Sequence, residues 1–137
     1  MYREIEHKAD LAYEVIVNDI DELLRDLIEI FKENAEIESS KNVEVSNDNL
    51  QNIVKKCYNI KMIKDMDESD EFIDSVFDTV NDIISLIDRG YFPIKVENSC
   101  IYLIPLRVIF RIKALTYHAL KVKVLGSRIH FWMVFDV

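Results

Sequence analysis

A chain of 137 residues, half of them hydrophobic and 31% charged, is long enough to bury one real core, and no apolar run approaches the roughly 20 residues that cross a bilayer. The charged opening MYREIEHKAD lacks a secretory apolar stretch, and a net charge of −8 argues against direct nucleic-acid binding, which needs a clustered basic surface. Cys57 and Cys100 fall in no CxxC or Cys/His spacing, which excludes a zinc framework and leaves two free thiols in a cytoplasmic protein as the expectation, with a single bridge as the alternative.

Leu11, Tyr13, Val15 and Val17 alternate with less apolar residues, so 11–17 reads as a strand. Asp19 is placed as an N-cap, and Glu22 three residues on completes a capping box. Ile20, Leu23, Leu24, Leu27, Ile28 and Phe31 then form one helical stripe running to about Asn34. Residues 35–50 read as loop with a short strand near Val43–Val45, and 53–63 as strand. The acidic run DMDESDE (65–71) resembles a calcium loop at Asp65, Asp67 and Ser69. It has Asp70 where the glycine belongs and Val76 where the glutamate belongs, so it reads as a solvated turn. Phe72, Ile73, Val76, Phe77, Val80, Ile84 and Ile87 predict a second amphipathic helix closed by Gly90. Strands follow at 94–97 and 100–110, the latter interrupted or edged by Pro105. The total is an α+β domain, two amphipathic helices packed on a mostly antiparallel β-sheet, spanning 1–137.

The C-terminal hairpin sorts the polar residues. Gly126-Ser127 fits a two-residue type II′ turn. Counting outward pairs Leu125 with Arg128, Lys123 with His130, Lys121 with Trp132, Ala119 with Val134 and Tyr117 with Asp136. On an unbroken ladder Lys113 shares the outer face with Tyr117 and Asp136, while Thr116 and His118 face the core. Lys121 over Trp132 reads as cation–π cover. The Asp136 side chain and the Val137 α-carboxylate lie close together, and two such anions call for a lysine or a hard cation bound by oxygen, Ca²⁺ or Mg²⁺. A frayed, solvated terminus is the plainer reading.

Three stretches together resemble the archease family. EHKAD (Glu6 to Asp10) is similar to that family's E-H-T-A-D motif, and KALTYH (Lys113 to His118) matches its K-A-x-T-Y-H motif. The terminal FDV matches its hydrophobic–Asp–aliphatic ending, and DSVFDTVNDIIS with Asn81 fits its second helix. The resemblance implies a small activator, not itself an enzyme, of an RtcB-type RNA ligase in tRNA splicing or RNA repair. Such a protein promotes guanylylation of the ligase's own histidine, with help from a bound divalent ion. It implies metal ligands at Asp10, Asp136 and the Val137 carboxylate, a functional lysine at Lys113, and supporting roles for His7, Tyr117 and His118. Two departures stand out: Lys8 replaces the family's Thr, and IYLIPLRVIFRI (101–112) is more continuously apolar than the family leads one to expect. Two other functions compete. One is a chaperone-like adaptor for another RNA-modifying enzyme such as a methyltransferase. The other is a small metal-dependent hydrolase with His118 as base, which lacks a nucleophile motif.

Overall fold

The structure is a computed structural model that describes residues 1–5, 10–37, 52–60 and 70–137. In chain order it contains β1 (Tyr2–Ile5), β2 (Leu11–Val17), α1 (Ile20–Glu33), β3 (Ala35–Ile37) and β4 (Val54–Cys57). Then come α2 (Asp70–Asp88), β5 (Tyr91–Glu97), β6 (Cys100–Pro105), β7 (Val108–Phe110), β8 (Ala114–Leu115), β9 (Lys121–Leu125) and β10 (Arg128–Asp136). The expected short strand at Val43–Val45, the acidic run 65–69 and the far end of the 53–63 strand fall outside the described residues. β1 and β3 are strands that periodicity did not announce, each too short or too charged to alternate clearly, while β6 and β7 divide the expected strand 100–110 just after Pro105.

The strands form three antiparallel sheets. The largest runs β1-β2-β10, with β8 and β9 sharing the remaining edge of β10. β4-β6-β5 make a second sheet and β3-β7 a small third one. Both helices connect the first two sheets: α1 packs on β2 and β5, and α2 packs on β8 and β5. One hydrophobic cluster fills the space between, built on Val15, Leu23, Leu27, Phe31, Ile83, Ile101, Phe131 and Phe135. This is the α+β architecture the sequence predicts. Among the described residues no helix is long and apolar enough to cross a membrane.

Local chemistry accounts for the boundaries. The Asp19 side chain accepts the Glu22 N–H at 2.8 Å, as an N-cap should. The return bond of the box goes one residue further out than expected: Glu22 accepts the Asn18 N–H at 3.0 Å. Gly90 ends α2 at φ +96°, and Gly126 takes φ +65° at the first position of its turn. Asn98 and Ser99, at φ 52° and 62°, make the two-residue turn between β5 and β6 with both central residues left-handed, the geometry that matches strand twist. Pro93 lies beside a ladder irregularity on the edge strand β5, where a missing N–H is harmless.

One expectation is overturned here. Cys57 and Cys100 are disulfide-bonded rather than free. They face each other across β4 and β6, and the adjoining Tyr58 N–H bonds the Ser99 carbonyl, so theirs is the closely spaced, non-hydrogen-bonded kind of rung. Sequence spacing could not reveal a bridge that depends on strand register across 43 residues. The apolar run 101–112 is chiefly core: Ile101, Leu103, Ile104 and Ile112 are buried, and Ile109 is its exposed member.

Candidate functional site

The C-terminal end of β10 gathers most of the residues singled out from sequence. On one side β10 pairs with β2 down to Phe135 opposite Leu11, so the next position sets Asp10 alongside Asp136. On the other side Asp136 is opposite Ala114, and the Lys113 N–H donates to the Asp136 carbonyl at 2.8 Å. Asp136 and Lys113 are exposed, Asp10 is half-buried, and Val137 packs against the edge of the core. His7 and Lys8 lie outside the described residues.

The expected ladder between KALTYH and the C-terminus is broken. The Thr116 N–H reaches the Val134 carbonyl at 2.9 Å, whereas Lys121 is opposite Trp132. Five residues on one strand therefore span two on the other, and the chain lifts off as a turn at Tyr117–Ala119. Three extra residues are an odd number, so every side above the turn is reversed relative to an unbroken count. Several assignments change as a result, the expected pairing of Ala119 with Val134 among them. Tyr117 is not opposite Asp136. Thr116 pairs with Val134 on the outer face rather than facing the core. His118 is exposed on the turn, edge-on to Tyr117, rather than a core histidine. Lys113 still neighbours Asp136, through direct backbone pairing rather than a shared face across the hairpin. Lys121 and Trp132 align as expected but form no cation–π contact; among the described residues the lysines over a ring are Lys55 and Lys95, both on Tyr102.

Helix α2 fixes the motif from the opposite side. The Asn81 side chain accepts the Leu115 N–H at 2.8 Å, anchoring the two-residue strand β8. The Tyr117 hydroxyl donates to Asp74 at 2.7 Å, and its ring meets Phe77 edge-on at 5.1 Å. The Asp74 bond, and secondarily desolvation, raises the Tyr117 pKa above its usual 10.0, since an acceptor carboxylate holds the phenol proton. Asp74 was missed from sequence and Asn81 was given no role. Their signal was there: 74, 77 and 81 fall on one helical face, a polar flank beside the apolar stripe.

Above this lies a cleft of about 510 Å³ on the outer face of the large sheet, floored by Ile5, Ala12, Trp132 and Val134. His118 and Lys121 form its rim. The lifted turn at 117–119 makes one wall, and the next rung beyond Ala12 and Val134 is that of Asp136.

Comparison with known proteins bears on the whole chain. A protein archease from Thermotoga maritima is 33% identical to it over an alignment of 147 positions, covering 99% of both sequences. The chain belongs to the archease family. The crystal structure of an archease from the same organism, described as a possible chaperone, superposes with a TM-score of 0.63 at 30% identity. That superposition spans 100% of this chain and 98% of the other. No family profile matches the chain.

The donors that archease resemblance assigns to a metal fit a hard cation: they are carboxylate oxygens, with no thiol or imidazole among them. Among the described residues no three His, Cys, Asp or Glu side chains converge as a metal-binding group. The expected archease set is different in kind, two side chains, Asp10 and Asp136, with the Val137 carboxylate as third donor.

Proposed function

We propose that this archease-family chain is a protein activator of an RtcB-type RNA ligase, promoting ligase guanylylation and turnover with the help of Ca²⁺ or Mg²⁺ at Asp10 and Asp136. The observation that supports it best is the pairing of KALTYH with the end of β10, which brings Lys113 and Asp136 together beside the start of β2. In this reading the ion, when bound, neutralises the paired carboxylates and presents a positive centre to an anionic group of the partner. Asp10 and Asp136 hold it, and Lys113 offsets surplus charge or reaches a phosphate. Asn81 and the Tyr117–Asp74 bond keep the motif strand and its turn in register. The ligase supplies the nucleophile and the chemistry.

A second reading, a chaperone-like adaptor, is favoured by the description of the solved relative as a possible chaperone. The hydrolase reading still lacks a nucleophile motif, and its proposed base, His118, is exposed on a turn at the rim of the cleft.

The test is single-turnover guanylylation of a cognate ligase at controlled divalent ion, with wild-type protein and Asp136→Ala. Stimulation by wild type that vanishes in the variant is the expected result. Equal stimulation by both would keep the activator and sink the cation site. Stimulation of a methyltransferase without any effect on a ligase would favour the adaptor.

A further inference from the structure

The outer face of the large sheet carries a charge opposite to that of the chain. Arg3, Lys121, Lys123, Arg128 and His130 share this face by register, around a single Trp132. Glu14, the acid beside them, is already engaged by Arg3 at 2.6 Å and His130 at 3.7 Å, and Asp136 lies at the far end of the same face. Lys121, Lys123 and Arg128 form no ion pair with any described residue. On a protein of net charge −8, three uncommitted cations on one sheet face attract anions to that face.

The cleft beside Lys121 has the size and lining of a small-molecule site, since ligand pockets run roughly 300–1,000 Å³ with apolar walls and a few polar groups at the rim. Its floor is flat and apolar, and the half-buried indole of Trp132 offers one ring edge or face to an occupant. Lys121 stands opposite Trp132 across the ladder without covering it, which leaves its ammonium free for an anion.

We infer that this cleft binds a planar aromatic anion, with the ring against Trp132 and Val134 and the anionic group on Lys121, as a mononucleotide or an aromatic carboxylate would sit. The ring buries the apolar floor, while the anion meets a cation that has no competing partner. Neither half suffices alone: the ring without charge forgoes Lys121, and the bare anion forgoes the floor.

Trp132 is the one tryptophan of the chain, so its emission reports this site directly. The full chain is titrated with AMP, benzoate, adenosine and inorganic phosphate, in chelator and without any ligase. The outcome is thereby independent of the cation at Asp136 and of ligase activation. AMP or benzoate should quench saturably, with adenosine and phosphate weaker by about tenfold or more, the equivalent of one well-made interaction. AMP the tighter assigns a nucleotide-type ligand, and benzoate the tighter an aromatic acid. Lys121→Gln, at an exposed position that leaves the fold intact, should weaken the anionic ligand about tenfold and leave adenosine unchanged. Lys95→Gln, on the separate β4-β6-β5 sheet, should change nothing. The inference is overturned by the absence of saturable quenching with both AMP and benzoate, or by Lys121→Gln binding as wild type does.

Discussion

The two faces of the large sheet are made by the same strands and do opposite work. Inward, Val15, Phe131, Met133 and Phe135 are sealed against the helices, and Phe135 meets both Tyr13 and Phe31 edge-on. Outward, the residues between them are Glu14, His130, Trp132 and Asp136, half-buried or exposed. Removing a methylene inward leaves a void in close packing, whereas a change outward is felt by whatever docks there. Stability and the candidate sites are thus separated by one residue of register.

That contrast can be broken by experiment, first where the effect is largest. Phe135→Ala should lower stability by about 3–5 kcal/mol in urea denaturation. Trp132→Ala, three residues along β10 on the outer face, should lower it far less; equal losses would erase the distinction between the faces. Outside this sheet, breaking the Cys57–Cys100 bond by reduction or Cys100→Ser should cost about 2–4 kcal/mol, read as a shift in urea midpoint with and without reductant.

The buried side also predicts an alkaline limit. Burial first, and in addition acceptor carboxylates on Glu33 and Asp82, raise the Tyr2 and Tyr58 pKa values; burial first, with the charges of Glu4 and Glu33, outweighs the Asn34 bond to raise Tyr13. Above the ordinary value of 10.0 the unfolded chain releases these protons while the folded one retains them. Stability should therefore be fully present below about pH 10 and fall as pH rises beyond it, seen in urea midpoints across that window. A flat profile would mean that these phenols are more solvated than their packing indicates.

Smaller effects sharpen the picture of the site. Asn81→Ala leaves the Leu115 N–H without its partner, costing about 1–3 kcal/mol and speeding exchange of that amide. Arg3→Ala removes an outer-face ion pair and should cost less than about 1 kcal/mol, the usual worth of exposed pairs.

Much of this was legible in the residues. The stripes of α1 and α2 and the alternation of β2 come from periodicities that burial enforces, and Asp19 caps α1 as its type suggests. The hairpin turn and its first five rungs, to Lys121 opposite Trp132, follow from Gly126 and strict counting. The count failed where Tyr117–Ala119 leaves the ladder, because nothing local in KALTYHAL marks three residues as extra. The excursion is held by Asp74, Phe77 and Asn81, dozens of positions earlier.

By itself the sequence determined the element types, the inward face of each long element and the motifs that place the chain among archeases. Those properties depend on near neighbours, and near neighbours are what a sequence displays. Tertiary structure alone decided that Cys57 meets Cys100, that Tyr117 answers to a helix rather than to Asp136, and that Lys121, Lys123 and Arg128 form no ion pair with a described residue on the face of Trp132. Each of these depends on register between distant strands, where a shift by an odd number of residues exchanges the two sides of a sheet.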